Sequence, residues 1–126
     1  IPVVLVLGQL FHDSRTSCMF TESLALYEKR GNEVFGDIDI VCIQDGKFII
    51  GEIKQSIGLF CKSDFEKMVK IAEIIRPNKL LFSSLDRETT RFVLENIDKV
   101  RKRLAPLEIE VQWYQLHSYV FDAAPI

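Results

Sequence analysis

The sequence predicts one α/β domain, a mixed β-sheet with helices packed on it. Three observations carry this. Two β-branched runs, Glu33–Ile43 and Lys47–Lys54, flank the dipeptide Asp45-Gly46, a pair favoured in two-residue hairpin turns because both positions tolerate positive φ. Two segments opening near Ser63 and Asp86 repeat apolar residues at helical period. A compact apolar run, Lys79–Ser83, separates those helices, and an alternating one, Glu108–Leu116, follows them.

In chain order, Pro2–Leu7 is β-branched and reads as a strand. His12–Glu22 is polar, with Asp13, Ser14, Arg15, Thr16 and Ser17, and reads as a loop. Ser23–Lys29 reads as a strand and Gly31-Asn32 as a turn. After the hairpin, Ser63 and Glu66 stand in capping-box spacing. Phe65, Met68, Val69, Ala72 and Ile75 follow at helical period, and Pro77 limits the helix end. Asp86 caps the second helix, whose buried stripe is Val93, Ile97, Val100 and Leu104. Ile109, Val111 and Trp113 alternate with Glu108, Glu110 and Gln112, as in a half-exposed or edge strand.

The 126 residues fit one domain, spanning residues 1–126, and 48% hydrophobic content is enough to bury a core. The chain begins at Ile1 rather than Met, and is expected to be a piece of a longer protein. Sixteen basic and 18 acidic residues leave a net charge of −2, so nucleic-acid binding has to rely on a local basic patch. Cys18, Cys42 and Cys61 are odd in number and widely spaced, against a disulfide framework or a zinc site. Cys42 falls in a strand and is expected to act as a small buried hydrophobe. A reducing, cytoplasmic setting is expected. No apolar run approaches the roughly 18 residues of a membrane span.

Against this background the stretch GDIDIVCIQDGKFIIGEIK, residues 36–54, is unusual. Asp37, Asp39, Glu52 and Lys54 interrupt otherwise apolar strands. A two-residue turn at Asp45-Gly46 makes Gln44 face Lys47 and, by extension, Asp39 face Glu52 and Asp37 face Lys54. Alternation then puts all four on one face, opposite Ile38, Ile40, Cys42, Ile49, Gly51 and Ile53. Opposed carboxylates are destabilising. A divalent cation would relieve them, since Mg²⁺ takes carboxylates, waters and phosphate oxygens. Lys54 can orient or help deprotonate a water, or offset phosphate charge. Metal plus lysine is equipment for phosphodiester hydrolysis.

The pattern D-x(12)-E-x-K, from Asp39 to Lys54, on a hairpin followed by a helix, resembles the PD-(D/E)XK nuclease superfamily. GDIDIV and FIIGEIK look especially like archaeal Holliday-junction resolvases, recombination-helicase nuclease domains and related bacterial nuclease-like domains. The resemblance covers about Ser23–Leu116 in element order and residues 36–54 in motif. It implies a restriction-endonuclease-like mixed β-sheet flanked by helices, Mg²⁺ or Mn²⁺ dependence, and DNA as substrate. It makes Asp39, Glu52 and Lys54 catalytic. Asp39, Glu52 and the main-chain carbonyl of Ile53 become the metal ligands, with Asp37 as an accessory acid. Gln55, Ser56 and Lys62 become substrate-binding candidates. Other domains of a longer chain, or a second copy in a homodimer, are expected to supply DNA grip. Many members carry an acid on a helix before the first sheet strand. Here that region reads as strand and loop, with Glu22 and Glu28 the nearest candidates. No Q-x-x-x-Y motif follows Lys54.

Blander readings stand beside these. The four charges also suit a solvated sheet end with salt bridges, Asp37–Lys54 among them, each worth little. Lys99, Arg101, Lys102 and Arg103 suit a helix C-terminus as well as a phosphate backbone. Lys62, Lys67, Lys70 and Arg76 have a similar claim. His12 and His117 are isolated, and Trp113 reads as core rather than as a base-stacking platform. Gly51 either admits close approach of a substrate or relieves crowding. The alternative to a nuclease is a nuclease-like fold, with little or no catalysis, that binds nucleic acid or protein.

Overall fold

A computed structural model describes residues 2–21, 24–27, 34–86 and 88–116. The chain runs α1 (Pro2–Asp13), β1 (Cys18–Thr21), β2 (Leu24–Tyr27), β3 (Val34–Ile38), β4 (Ile40–Gln44), β5 (Lys47–Lys54), α2 (Lys62–Ile75), β6 (Lys79–Ser84), α3 (Arg91–Leu104) and β7 (Glu110–Trp113). Five strands form a mixed sheet in the order β1-β4-β5-β6-β7, and β2 and β3 form a separate antiparallel pair. The β1–β4 and β4–β5 pairs are antiparallel, and the β5–β6 and β6–β7 pairs are parallel. The fold is α/β, with helices on both faces of the sheet.

Alternation along the central strands divides the core into two layers. Ile50, Leu80 and Phe82 meet α2 and α3 through Phe65, Met68, Val93 and Ile97. Ile49, Ile53 and Leu81 meet α1 through Val6, Leu7 and Leu10. Most of these side chains are fully buried, each worth about 1.5–3 kcal/mol relative to exposure.

The segment read as a strand at Pro2–Leu7 is the first half of α1. Val3, Val6, Leu7 and Leu10 lie at i, i+3, i+4 and i+7, a helical stripe that continues beyond Leu7. Packing that stripe on the sheet overrides the weak β preference of valine. Pro2, whose missing N–H is harmless at a helix start, opens the helix. The polar stretch after it, read wholly as loop, contains β1.

The hairpin register is the expected one, with Gln44 opposite Lys47 and Ile40 opposite Gly51. Asp45 and Gly46 have φ of 51° and 81°. The Asp45 carboxylate also accepts the backbone N–H groups of Arg15, Thr16 and Ser17 at 3.0, 2.8 and 3.1 Å. Those bonds pin the α1–β1 connection to the turn and hold the Asp45 carboxyl well below the usual carboxylate range.

Two helix starts differ from expectation. For α2 the cap is Cys61, and Asp64 rather than Glu66 completes the box, accepting from the Cys61 N–H at 2.8 Å. For α3 the cap is Thr90, whose hydroxyl accepts from the Val93 N–H at 3.3 Å. Asp86 instead accepts the N–H of Ile57.

β7 is an edge strand, as its alternation suggests, and β1 forms the opposite edge. Trp113 is half-buried and packs edge-on against Phe60, with ring centroids 5.9 Å apart, at the border of the core. Cys42 is buried, and burial pushes its thiol up to about 12.

Candidate active site

The strand read as continuous from Glu33 to Ile43 breaks at Asp39. β3 pairs with β2, placing Asp37 opposite Ala25. β4 pairs with β5 only from Ile40 onward. The break reverses the alternation: Ile38 joins the α2/α3 layer, whereas Ile40 joins the α1 layer. The expected common face of Asp37, Asp39, Glu52 and Lys54 therefore loses Asp37. That residue is exposed, and no ion pair among the described residues joins it to Lys54 or to any other cation.

Asp39 stays at the point of divergence. Its N–H donates to Gly51 O at 3.2 Å, and its carboxylate accepts the Ile53 N–H at 2.9 Å. A side chain thus takes the position that a strand backbone would fill. In an antiparallel ladder a residue's N–H and C=O point to the same side, so the Ile53 carbonyl is directed to this same edge. Asp39 and the Ile53 carbonyl thus share the edge where the hairpin opens, and the Asp39 charge acts on the adjacent Glu52.

Glu52 lies on the α2/α3 face of β5 with its side chain only 5% exposed. Lys67 Nζ donates to its Oε2 at 2.8 Å. Lys54 Nζ lies 3.5 Å from Oε1 and 3.3 Å from Asp64 Oδ1. Burial pushes the Glu52 carboxyl up; the Lys67 ammonium opposes this, and the negative charge of Asp39 adds to it. Burial alone would lower Lys54, but the Asp64 and Glu52 carboxylates hold it above its ordinary value. Lys54 therefore stands in the site as a cation and hydrogen-bond donor. Burial would raise Asp64, but the Cys61 backbone and thiol, with Lys54, hold it below its ordinary value. Glu52 and Asp64 thus share two ammonium groups, Lys54 and Lys67, with Asp39 near enough for its charge to act on Glu52.

Asp64 and Lys67 are the site residues that the strand motif alone does not reveal. Their signal lies in α2: Asp64, Lys67 and Ile71 follow one helical stripe at i, i+3 and i+7. The stripe becomes informative once the helix is known to start at Lys62 and to pack on β5.

Among the described residues no group of three or more His, Cys, Asp or Glu side chains is arranged to hold a metal ion. The donor set here is smaller and wholly oxygen: two carboxylates and a main-chain carbonyl. That set suits a hard divalent cation that keeps several waters.

Gln55 and Ser56 directly follow Lys54 and are exposed. Lys62 lines a groove of about 180 Å³ between α2 and α3 with Glu66, Lys99 and Arg103. Arg103 is also paired with Glu73 at 2.9 Å, and Arg101 with Asp98 at 2.9 Å. α1 brings no acid to the site; its Asp13 accepts from the Tyr114 hydroxyl at 2.7 Å. Glu22, Glu28 and His117 lie outside the described residues. His12 is exposed beside Asp13. Gly51 meets the crowding reading: a Cβ there would lie 2.6 Å from Leu81 Cδ1. No helix among the described residues is long and apolar enough to cross a membrane. No family model matches the chain, and no curated protein matches it.

Proposed function

We propose that this chain is a divalent-metal-dependent nuclease domain of restriction-endonuclease-like fold, hydrolysing phosphodiester bonds in DNA. One observation carries the reading: the hairpin opens at Asp39, whose carboxylate takes the Ile53 N–H at 2.9 Å beside the buried Glu52. A sheet built only for stability has little use for two carboxylates at this position, because buried like charges repel. Asp39, Glu52 and the Ile53 carbonyl would hold Mg²⁺ or Mn²⁺. When bound, such an ion supplies charge neutralisation at the phosphate and an acidified water. Lys54, held as an ammonium by Asp64 and Glu52, donates to the attacking water or to a phosphate oxygen. That water's oxygen bonds to phosphorus and gives up its proton to solvent, as the bond to the leaving sugar oxygen breaks and that oxygen takes a proton from solvent. Asp64 keeps Lys54 in place. Asp37 has no part in this step.

A second reading has its own support. Both oxygens of Glu52 face lysines, and α1 brings no acid to the site. A nuclease-like module without catalysis would retain such a neutralised cluster.

Manganese titration by calorimetry separates the two. Asp39→Asn preserves an acceptor for the Ile53 N–H, so the fold is retained while a charged ligand is lost. The nuclease reading expects wild-type binding that disappears in this variant, and metal-dependent DNA cleavage that disappears in Lys54→Ala. Wild-type protein that binds no metal and cleaves no DNA overturns it.

A further inference from the structure

The two lysines on Glu52 are not equivalent. Lys54 also faces Asp64 at 3.3 Å and keeps a carboxylate partner if it leaves Glu52. Lys67 has a single ion pair among the described residues, with Glu52 Oε2 at 2.8 Å. Its stem rests against β3. A Cβ on Gly36 would lie 3.4 Å from both Lys67 Cγ and Cδ, and 3.0 Å from Ile71 Cδ1. The lysine stem thus passes over the Gly36 backbone, and α2 delivers its ammonium to the carboxylate.

A buried carboxylate needs a positive partner, and Glu52 has one on each oxygen. Each Glu52 oxygen is already engaged by an ammonium group, so a divalent cation bound there competes with a positive charge for the same carboxylate. Lys67 makes the shorter contact, of the strong charge-assisted kind. We infer that Lys67 is a built-in competitor for the metal position on Glu52, holding the carboxylate until a divalent cation displaces it. This rests on the metal reading proposed above and adds a positioning residue that sets the affinity of that site. The stem packed against Gly36 keeps the displaced ammonium beside the site.

The test is a calorimetric Mn²⁺ titration of wild type, Lys67→Met, Lys67→Arg and Asp39→Asn. Loss of the competing cation tightens binding in Lys67→Met by about tenfold, the equivalent of one modest charged contact. Lys67→Arg retains a competitor and stays within about threefold of wild type. Mn²⁺ also raises the melting temperature of Lys67→Met by more than that of wild type. Unchanged or weaker affinity in Lys67→Met overturns the inference, and leaves the metal reading standing if wild type binds and Asp39→Asn does not. Binding by Lys67→Met alone supports the inference. Absence of binding in both wild type and Lys67→Met overturns both. Should Lys67→Met fail to fold, Lys67→Gln removes the charge while keeping a polar side chain of similar reach. Tighter Mn²⁺ binding is then expected, and unchanged affinity overturns the inference.

Discussion

Gly51→Ala tests how closely β5 and β6 are packed at the base of the candidate site. Gly51 pairs with Leu81 in the parallel β5–β6 register, and both residues are buried. A Cβ on Gly51 would lie 2.6 Å from Leu81 Cδ1, 3.0 Å from Cγ and 3.1 Å from the Leu81 carbonyl oxygen. The Leu81 side chain can rotate away only into the packed α1 layer, and the carbonyl is held in the sheet. Overpacking of this kind costs about 1–3 kcal/mol. Gly51 does not have a positive φ, so alanine is acceptable to the backbone and recovers about 0.4–1 kcal/mol through the unfolded chain. The net expectation is a loss of about 1–2 kcal/mol. Urea denaturation should show a lower midpoint with an unchanged slope. Leu81→Ala alone should cost about 2–5 kcal/mol through the cavity it leaves. In the double variant the new methyl occupies part of that cavity, so the combined loss should fall short of the sum by at least about 0.5 kcal/mol. Strict additivity, or a Gly51→Ala protein as stable as wild type, would refute the argument from crowding and return Gly51 to a role in substrate approach.

Two further expectations concern charge. Asp64 is held below its ordinary 3.8, so its contribution to stability is complete above that value and is lost as the pH falls through the lower folded value. Lys54 is held above its ordinary 10.5, so its contribution is complete below 10.5 and is lost as the pH rises through the higher folded value. Asp64→Asn should therefore be less stable than wild type at neutral pH and should approach it in strong acid; a stability gap that does not change with pH contradicts the Asp64–Lys54 pairing. In the groove between α2 and α3, Lys62→Ala and Lys99→Ala should each reduce the salt dependence of DNA binding by about one unit of log–log slope if the groove carries a phosphate backbone. An unchanged slope in both removes the groove from the DNA path.

The hairpin, its register and the apolar stripes of α2 and α3 could be read directly from the sequence, because each depends on neighbours a few residues apart. Asp45-Gly46 specifies its own turn, and that turn sets which residues of β4 and β5 meet. Asp39, Glu52 and Lys54 could be singled out for the same reason: ionisable groups stand out in apolar strands of known register. Asp37 could not be placed this way. Local alternation puts it with the others, but β3 turns away at Asp39 to pair with β2, and that choice belongs to the sheet as a whole. The valines of α1 likewise suit a strand when read only to Leu7, and it is the sheet face beneath Val6, Leu7 and Leu10 that makes them helical. Asp64 and Lys67 are ordinary charged residues on a helix until α2 is laid across β5. The sequence by itself determined the chemical groups and their local periodicity. The tertiary structure decided which groups share one buried space, because that depends on the packing of α2 on β5 and on where β3 leaves the sheet.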